Sequence, residues 1–508
     1  MKYALLSVTD KQGIETFAKE LVDLGYTLLS TGGTLKVISE AGVEVKAIDE
    51  YTGFPEILDG RVKTLHPRVH GGILYKRDNQ EHVRVVGDLD ISAIDLVCVN
   101  LYAFEDKLKE GNPEDVMVEN IDIGGPSMVR SAAKNFKDVL IVTDPSDYQE
   151  LIDKMKEGPV DIDYRKMLAM KAFSLTAYYD SMIARYFQEI TGKYPSTFTL
   201  GMKKETDLRY GENPHQKASL YVDPMAKSYF SDFEQLQGKE LSFNNLNDLN
   251  TAVSLAAEFD PDTEGIVCVG LKHATPCGVA LGNTVLESYV KCFESDPLSI
   301  FGGIIALNGI IDKETAEEMT KIFLEVVAAR DFTEDAKKVF AKKENLRLLK
   351  VDFEAQALDI DLKLASGKVL IQDSDHEAEE GFTIATEKQP SSSEISDLIF
   401  GMKVVKYVRS NAIVLVKDKK TLGIGGGQTS RIWALENIFS NQKDRDFTGA
   451  SLASDAFFPF DDCVLAAAEK GISSIIQPGG SIRDEDSIRA CNGNNMSMVF
   501  TGVRHFRH

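Results

Sequence analysis

The sequence predicts an α/β protein of at least two domains, with a parallel sheet at its N-terminal end. Three observations predict it. Strand and helix patterns alternate as β-α-β-α-β within the first 48 residues, as in parallel strands covered by helices. Two blocks of related residues recur in the same order in the second half. The chain has 508 residues, more than one core usually holds.

Residues 3–8 form an apolar run that reads as a buried strand. Ile14, Phe17, Ala18, Leu21 and Val22 then recur at helical spacing over 11–24, and Gly25 ends the helix. Residues 26–30 give a second strand, a helix is expected over about 34–41 with Thr34 as a possible N-cap, and 43–48 give a third strand. Further strands are expected at 95–101 and 138–143, and one helical stretch over about 146–190. Residues 193–197, with Pro195 and small polar neighbours, form the best domain boundary. This gives domains at 1–196 and 197–508.

In the second half, Lys272-His273-Ala274 is followed by Ser295–Gly303, and Ser410-Asn411-Ala412 by Ser454–Phe460. The shared order points to an internal duplication, with the first members of the two blocks paired and the second members paired. The charged stretch 331–398 is expected to hold surface helices and a strand-rich connection.

Composition limits the function. Hydrophobic content is 43% and charged content 27%, as in ordinary globular proteins. A net charge of -22 repels nucleic acid and anionic lipid, so an anionic substrate must be caught by local basic or glycine-rich sites. No apolar stretch is long enough to span a bilayer, and the N-terminus has no long apolar signal-like region. The 6 cysteines form no C-x-x-C pair and read as free thiols of a reducing cytoplasm.

Local reversals of that acidic background mark the candidate sites. Ser30-Thr31-Gly32-Gly33-Thr34 joins a strand to a helix, where glycines let the backbone approach a ligand and free N–H groups favour an anion. A plain tight turn is the alternative. Residues 60–72 concentrate Arg61, Lys63, His66, Arg68 and His70 in one loop. Asp122-Ile123-Gly124-Gly125-Pro126-Ser127 opens a helix whose Arg130 and Lys134 share a face. Lys272-His273 ends the apolar strand 265–271, a pair able to move a proton and stabilise negative charge. The glycine runs 423–431 and 478–481 and the aromatic cluster Phe457-Phe458-Pro459-Phe460 complete the set. Zinc is rejected: Thr275 stands where a deaminase needs Glu, and Ala280 where it needs the second Cys.

Together and in this order, these motifs resemble the bifunctional purine biosynthesis enzymes that couple AICAR formyltransferase to IMP cyclohydrolase. The resemblance runs from about residue 4 to the last residue. It rests most on Ser7–Lys11, Ser30–Thr34, Arg61–Pro67, Asp122–Gly125, Leu208–Gln216, Lys272-His273, Ser410–Ala412 and Ser454–Phe460. It implies a methylglyoxal-synthase-like cyclohydrolase domain, then a formyltransferase domain of two cytidine-deaminase-like subdomains. It implies 10-formyltetrahydrofolate as co-substrate, allows a monovalent cation such as K+, and implies a cytoplasmic homodimer with transferase sites at its interface. By the same resemblance, Lys63, Tyr102, Asp122 and Lys134 catalyse ring closure, and Lys272, His273 and Asn411 catalyse transfer. Substrate-binding residues are Ser7, Lys11, Ser30, Thr31, Gly32, Gly33, Thr34 and Arg61 in the first domain. In the second they are Arg209, Tyr210, His215, Asn245, Phe301, Arg431, Phe457, Phe460, Asp462 and Arg504. The tail departs from the family, with Arg507 where His is expected. A non-catalytic nucleotide sensor is the competing reading.

Overall fold

The alternating start of the chain folds into a five-stranded parallel sheet in the computed structural model, which describes residues 2–193, 195–226, 228–230, 233–354, 360–377 and 381–508. Two compact units result, one of residues up to 203 with 223–225, the other of 204–222 with 226–508. Tyr194, inside the expected boundary, lies outside the described residues.

The first unit runs β1 (Lys2–Ser7), α1 (Ile14–Asp23), β2 (Tyr26–Ser30), α2 (Gly32–Glu40), β3 (Val45–Ala47), α3 (Ile48–Thr52), α4 (Pro67–Leu74) and α5 (Gln80–Asp88). It continues through β4 (Ile94–Val99), α6 (Phe104–Lys109), α7 (Glu114–Glu119), α8 (Gly124–Lys134), β5 (Leu140–Val142), α9 (Tyr148–Glu157) and α10 (Ile162–Thr191). Parallel strands covered on both faces must be apolar throughout, so Ala4-Leu5-Leu6 and Leu96–Val99 are fully buried. Helix α1 sets Ile14, Phe17, Ala18 and Leu21 into the same core. The strand order is β3-β2-β1-β4-β5. It reverses between β1 and β4, and the crevice beyond the carboxyl ends of those strands is where open α/β sheets bind ligands.

Three expectations need correction. Helix α2 starts at Gly32, with Thr31 as N-cap. Thr34 is instead buried, and its hydroxyl exchanges hydrogen bonds with the Val8 backbone (3.0 and 2.9 Å). The helical stretch 146–190 is two helices, because Gly158 ends α9 and the Asp161 side chain caps α10. The basic segment 60–72 is a loop only in its first half. Pro67 occupies the first helical turn of α4, and His66 Nδ1 caps it by accepting the Arg68 N–H at 3.1 Å.

A two-stranded piece follows, β6 (Lys203–Leu208) with β7 (Ala218–Val222). Then comes a repeat: β8 (Glu234–Gln237), α11 (Phe243–Ala257), β9 (Ile266–Lys272), β10 (Thr275–Gly282), α12 (Val285–Ser295), β11 (Ile304–Ile311), α13 (Lys313–Met319), β12 (Val326–Phe332), α14 (Glu334–Phe340) and β13 (Arg347–Lys350). After a hairpin of β14 (Ile360–Ala365) and β15 (Lys368–Asp373), the second repeat has the same succession: β16 (Thr383–Ile384), α15 (Ser392–Val405), β17 (Ile413–Lys417), β18 (Lys420–Gly425), α16 (Arg431–Asn441), β19 (Ser451–Ser454), α17 (Asp462–Glu469), β20 (Ser474–Gln477), α18 (Asp484–Gly493) and β21 (Ser497–Phe500).

From the middle outward, one half of the twelve-stranded sheet reads β10-β9-β11-β12-β13-β8 and the other β18-β17-β19-β20-β21-β16. Antiparallel β10 and β18 join them at Ala280 and Lys420. The duplication is therefore real, but the expected pairing of blocks was out of register. Lys272 ends β9, whereas Ser410-Asn411-Ala412 precedes β17; the counterpart of Lys272-His273 is Lys417-Asp418. Likewise Ser295–Gly303 precedes β11, whereas Ser454–Phe460 follows β19. Helices α11 and α15 share a core on one face of the sheet. On the other face α12–α14 and α16–α18 form one core each. No helix among the described residues is long and apolar enough to cross a membrane, and all six cysteines are free.

Candidate functional site

In the first unit, the candidates from β1, β2 and α2 meet at the sheet's carboxyl edge. Ser7 Oγ lies 2.9 Å from Thr31 Oγ1. Thr31 gives its helix no side-chain cap, so the first N–H groups of α2 remain available to an anion. Two ammonium groups border that turn. A Cβ at Gly32 would stand 3.9 Å from Lys63 Nζ, and one at Gly33 would stand 3.8 Å from Lys11 Nζ. Gly32, at φ +43°, also holds a backbone conformation that side chains rarely adopt. Ser30 is buried and donates to the Leu6 carbonyl at 2.7 Å, so its part is to fix the strand end.

Lys63 pairs with Glu56 at 2.9 Å. Its charge also acts on Tyr102, whose phenol is pushed up by burial and then by the nearby Asp122 carboxylate. Asp122 is itself pushed up, chiefly by burial, and accepts the Gly125 N–H at 2.8 Å at the start of α8. Lys63, Tyr102 and Asp122 thus form one electrostatic cluster. A cavity of about 550 Å³ beside it is lined by Thr9, Asp10, Asn100 and Tyr102, among others.

Two candidates form no hydrogen bond or ion pair with Lys63, Tyr102 or Asp122. Arg61 is exposed and paired with Glu119. Lys134 is exposed on the last turn of α8, about 15 Å along the helix from Gly124 at 1.5 Å per residue. Sequence reasoning missed Asn100, at the end of β4. Its side chain accepts the Asp10 N–H (3.1 Å) and donates to the Asp10 carbonyl (3.0 Å), holding the loop that carries Lys11. A polar residue closing an apolar strand was the available signal.

His70 is half-buried between α4 and α8. The Ser131 hydroxyl donates to the Ser127 carbonyl (2.8 Å), so it accepts from His70 Nδ1 (3.1 Å). The buried Nε2 has no partner, and burial pushes the imidazole below its usual 6.5. The folded state therefore binds fewer protons than the unfolded state as pH falls through 6.5 toward the folded value. The stability from this group is complete above 6.5 and is lost on acidification. Thermal melts between pH 7.5 and 5.5 should fall more steeply for the natural protein than for His70→Gln; equal slopes would refute this role.

In the second unit, strand directions collect the candidates on one edge. β9, β18, β19, β20 and β21 run one way, and β10, β17, β11, β12 and β13 the other. The carboxyl ends of the first set and the amino ends of the second therefore share an edge. Lys272-His273, Phe301, Asn411, the glycine run 423–431, Ser454–Phe460, Pro478–Ser481 and the tail with Arg504 all lie there. Strands β9 and β17 are three spacings apart, roughly 14 Å. Lys272-His273 and Asn411 are thus separated by roughly the length of a substrate along that edge.

Lys272 Nζ donates to the Phe301 carbonyl at 2.8 Å. His273 is exposed and, with Ala274, forms a two-residue turn in which both have φ 53°. Left-handed backbone costs a non-glycine residue about 1–2 kcal/mol. The Asp248 carboxylate on α11 offsets this by accepting the His273 and Ala274 N–H groups at 3.1 and 2.8 Å, and charge-assisted bonds are worth roughly 1.5–3 kcal/mol. Asn245 donates to Glu325 at 2.8 Å, and Arg347 lies 4.0 Å from Glu325. Arg209 Nη2 donates to the Tyr210 hydroxyl at 2.9 Å, and the Arg209 charge acts on Arg347. Asp248, Glu325 and Arg347 were not foreseen. His215 is exposed in the 211–216 turn, with no hydrogen bond to these residues.

Asn411 donates its backbone and side-chain N–H groups to the Gln428 carbonyl at 3.1 and 3.0 Å, leaving Oδ1 for a ligand. Arg431, a candidate binding residue, is turned inward. It pairs with fully buried Asp455 at 2.6 Å and donates to the Phe457 carbonyl, so it braces the edge. The tail is tied to this brace: the His505 N–H donates to the Asp455 carbonyl at 3.0 Å, and Ser410 and Arg507 exchange two hydrogen bonds. Arg504 is exposed, 4.4 Å from the Phe506 ring. Phe457 and Phe460 present exposed faces, with Arg483 5.0 Å from the Phe460 ring. The Asp462 carboxylate accepts the Cys463 N–H at 2.8 Å.

A family model described as AICARFT/IMPCHase bienzyme matches residues 132–440, and one described as MGS-like domain matches residues 13–127. The bifunctional purine biosynthesis protein PurH of Clostridioides difficile (strain 630) is 53% identical over 509 residues, covering 100% of both chains. PurH of Clostridium botulinum (strain Hall) is also 53% identical at full coverage. That of Caldicellulosiruptor saccharolyticus is 52% identical over 517 residues, again covering 100% of each. The chain belongs to the AICARFT/IMPCHase bienzyme family, the bifunctional purine biosynthesis enzymes with AICAR formyltransferase and IMP cyclohydrolase activities.

Proposed function

We propose that the two units divide the two reactions, with ring closure in the first and formyl transfer in the second. The observation that carries this reading is the clustering of the candidates. Lys63, Tyr102 and Asp122 gather beside an anion-binding turn, while Lys272, His273 and Asn411 gather on one sheet edge.

A formyltransferase uses a folate co-substrate, here assigned as 10-formyltetrahydrofolate. The 5-amino group of AICAR attacks its formyl carbon. His273 takes the proton of this weakly nucleophilic amine, and the Lys272 ammonium stabilises the oxyanion and assists the leaving folate nitrogen. Asn411 hydrogen-bonds at the reacting centre. Arg209, Tyr210 and Arg504 hold the nucleotide, and Phe301, Phe460 and Asp462 face the pterin. In ring closure, the carboxamide nitrogen attacks the new formyl carbon and water leaves. Lys63 stabilises charge on the formyl oxygen. Tyr102 and Asp122 move protons, a part that suits a carboxyl raised by burial. The first turn of α2, with Ser7 and Lys11, binds the phosphate. Lys134, on the last turn of α8, is assigned with Tyr102 and Asp122 to positioning the carboxamide.

A homodimer in the cytoplasm fits the family, and six free cysteines agree with a reducing compartment. A monovalent cation would need a cage of oxygens. The resemblance allows such an ion, and no step is routed through it. The test is to incubate the purified protein with AICAR and 10-formyltetrahydrofolate. Tetrahydrofolate and IMP are expected in equal amounts. Binding without release of either product would instead establish the nucleotide sensor.

A further inference from the structure

The two repeats of the second unit use one device twice. Helices α11 and α15 each open with a capping box, on Ser242 and Asn245 in the first and on Ser391 and Glu394 in the second. Each carries an aspartate at its sixth residue, Asp248 and Asp397. Asp397 accepts the Asp418 and Lys419 N–H groups at 3.0 and 2.7 Å, as Asp248 accepts those of His273 and Ala274 at 3.1 and 2.8 Å. Asp418 and Lys419 both have φ 54°, against 53° for His273 and Ala274. The turns are equivalent, but their settings differ. The first displays His273 on the edge with the other candidates. The second lies on the opposite edge and displays Asp418, with no candidate residue beside it.

From this pairing we infer that Asp248 is a positioning residue for formyl transfer, acting through His273, whereas Asp397 holds an equivalent turn for the fold alone. The inference rests on the reading of His273 as the proton acceptor. The physical reason is the turn's conformation. Two successive non-glycine residues stay left-handed only while their N–H groups are held. Once released, the turn relaxes and the imidazole leaves the line between the amine and its proton. A misplacement of about 1 Å costs on the order of a hundredfold in rate. Asparagine offers only one acceptor oxygen and turns an N–H group toward a donor, so Asp248→Asn breaks the two-point hold with little change in volume.

Asp397→Asn is the matched control, because it makes the same chemical change at a turn of the same geometry. In the full-length enzyme, Asp248→Asn should lower kcat for transfer about tenfold or more, with KM for AICAR within about threefold. Its closure of supplied formylated AICAR should be unchanged. Asp397→Asn should keep transfer within about twofold while lowering the melting temperature as much as Asp248→Asn does. In a His273→Ala background, Asp248→Asn should cost no further rate. Equal losses of kcat in the two aspartate variants would overturn the inference, as would a full additional loss in the His273→Ala background. Transfer at the natural rate by His273→Ala alone would instead remove the reading beneath it, whereas loss there with none in Asp248→Asn removes only the role of Asp248.

Discussion

Replacing Lys63 by alanine is expected to slow closure of formylated AICAR by at least about a hundredfold, the usual cost of one donor to a developing oxyanion. The argument starts from where the ammonium sits. It lies against the Gly32 end of α2, so a nucleotide whose phosphate caps that helix is bound beside Lys63. Glu56 holds the ammonium at 2.9 Å, and Tyr102 lies within reach of its charge. When the carboxamide nitrogen attacks, negative charge grows on the formyl oxygen, and an already oriented cation stabilises it without reorganising. Alanine removes that charge and leaves Glu56 to repel the oxyanion. Stopped assays with supplied formylated AICAR measure the effect. With the phosphate assigned to Lys11 and α2, the loss should appear in kcat more than in KM.

Replacing His273 by alanine is expected to cost formyl transfer at least about a hundredfold, the lower range for a positioned general base. The AICAR amine is conjugated with its ring and must shed a proton as it attacks. His273 is exposed on the edge shared with Lys272 and Asn411, on a turn whose backbone is already fixed. Lys272, bound to the Phe301 carbonyl, keeps its place without the imidazole, so the residual rate reports oxyanion stabilisation alone. Release of tetrahydrofolate at saturating AICAR measures this. A rate near that of the natural protein would take His273 out of the reaction.

The fold was legible where burial writes itself into composition. Strands β1 and β4 are covered on both faces, so Ala4–Leu6 and Leu96–Val99 stand out as apolar runs. The duplication was visible as repeated order, but its register was not. Equivalent positions such as His273 and Asp418 share a turn conformation and no side-chain chemistry, and only strand pairing aligns them. The glycine turn at 31–34 could be read because it is local. Asn100 left one local signal, a polar residue closing an apolar strand, whereas Asp248, Glu325 and Arg347 left none, since each acts on residues far away along the chain. Arg431 shows the same limit: a basic residue beside a glycine run suits an anion site, yet buried Asp455, 24 residues on, claims it.

The claim that one chain keeps its two chemistries in separate places is tested most directly by a crossed assay. Lys63→Ala and His273→Ala are each given AICAR with 10-formyltetrahydrofolate, then formylated AICAR alone. Lys63→Ala should release tetrahydrofolate at the natural rate and accumulate the open formylated ribotide. His273→Ala should fail to release tetrahydrofolate and yet close supplied formylated AICAR to IMP at the natural rate. Loss of both reactions in either properly folded variant would contradict the separation.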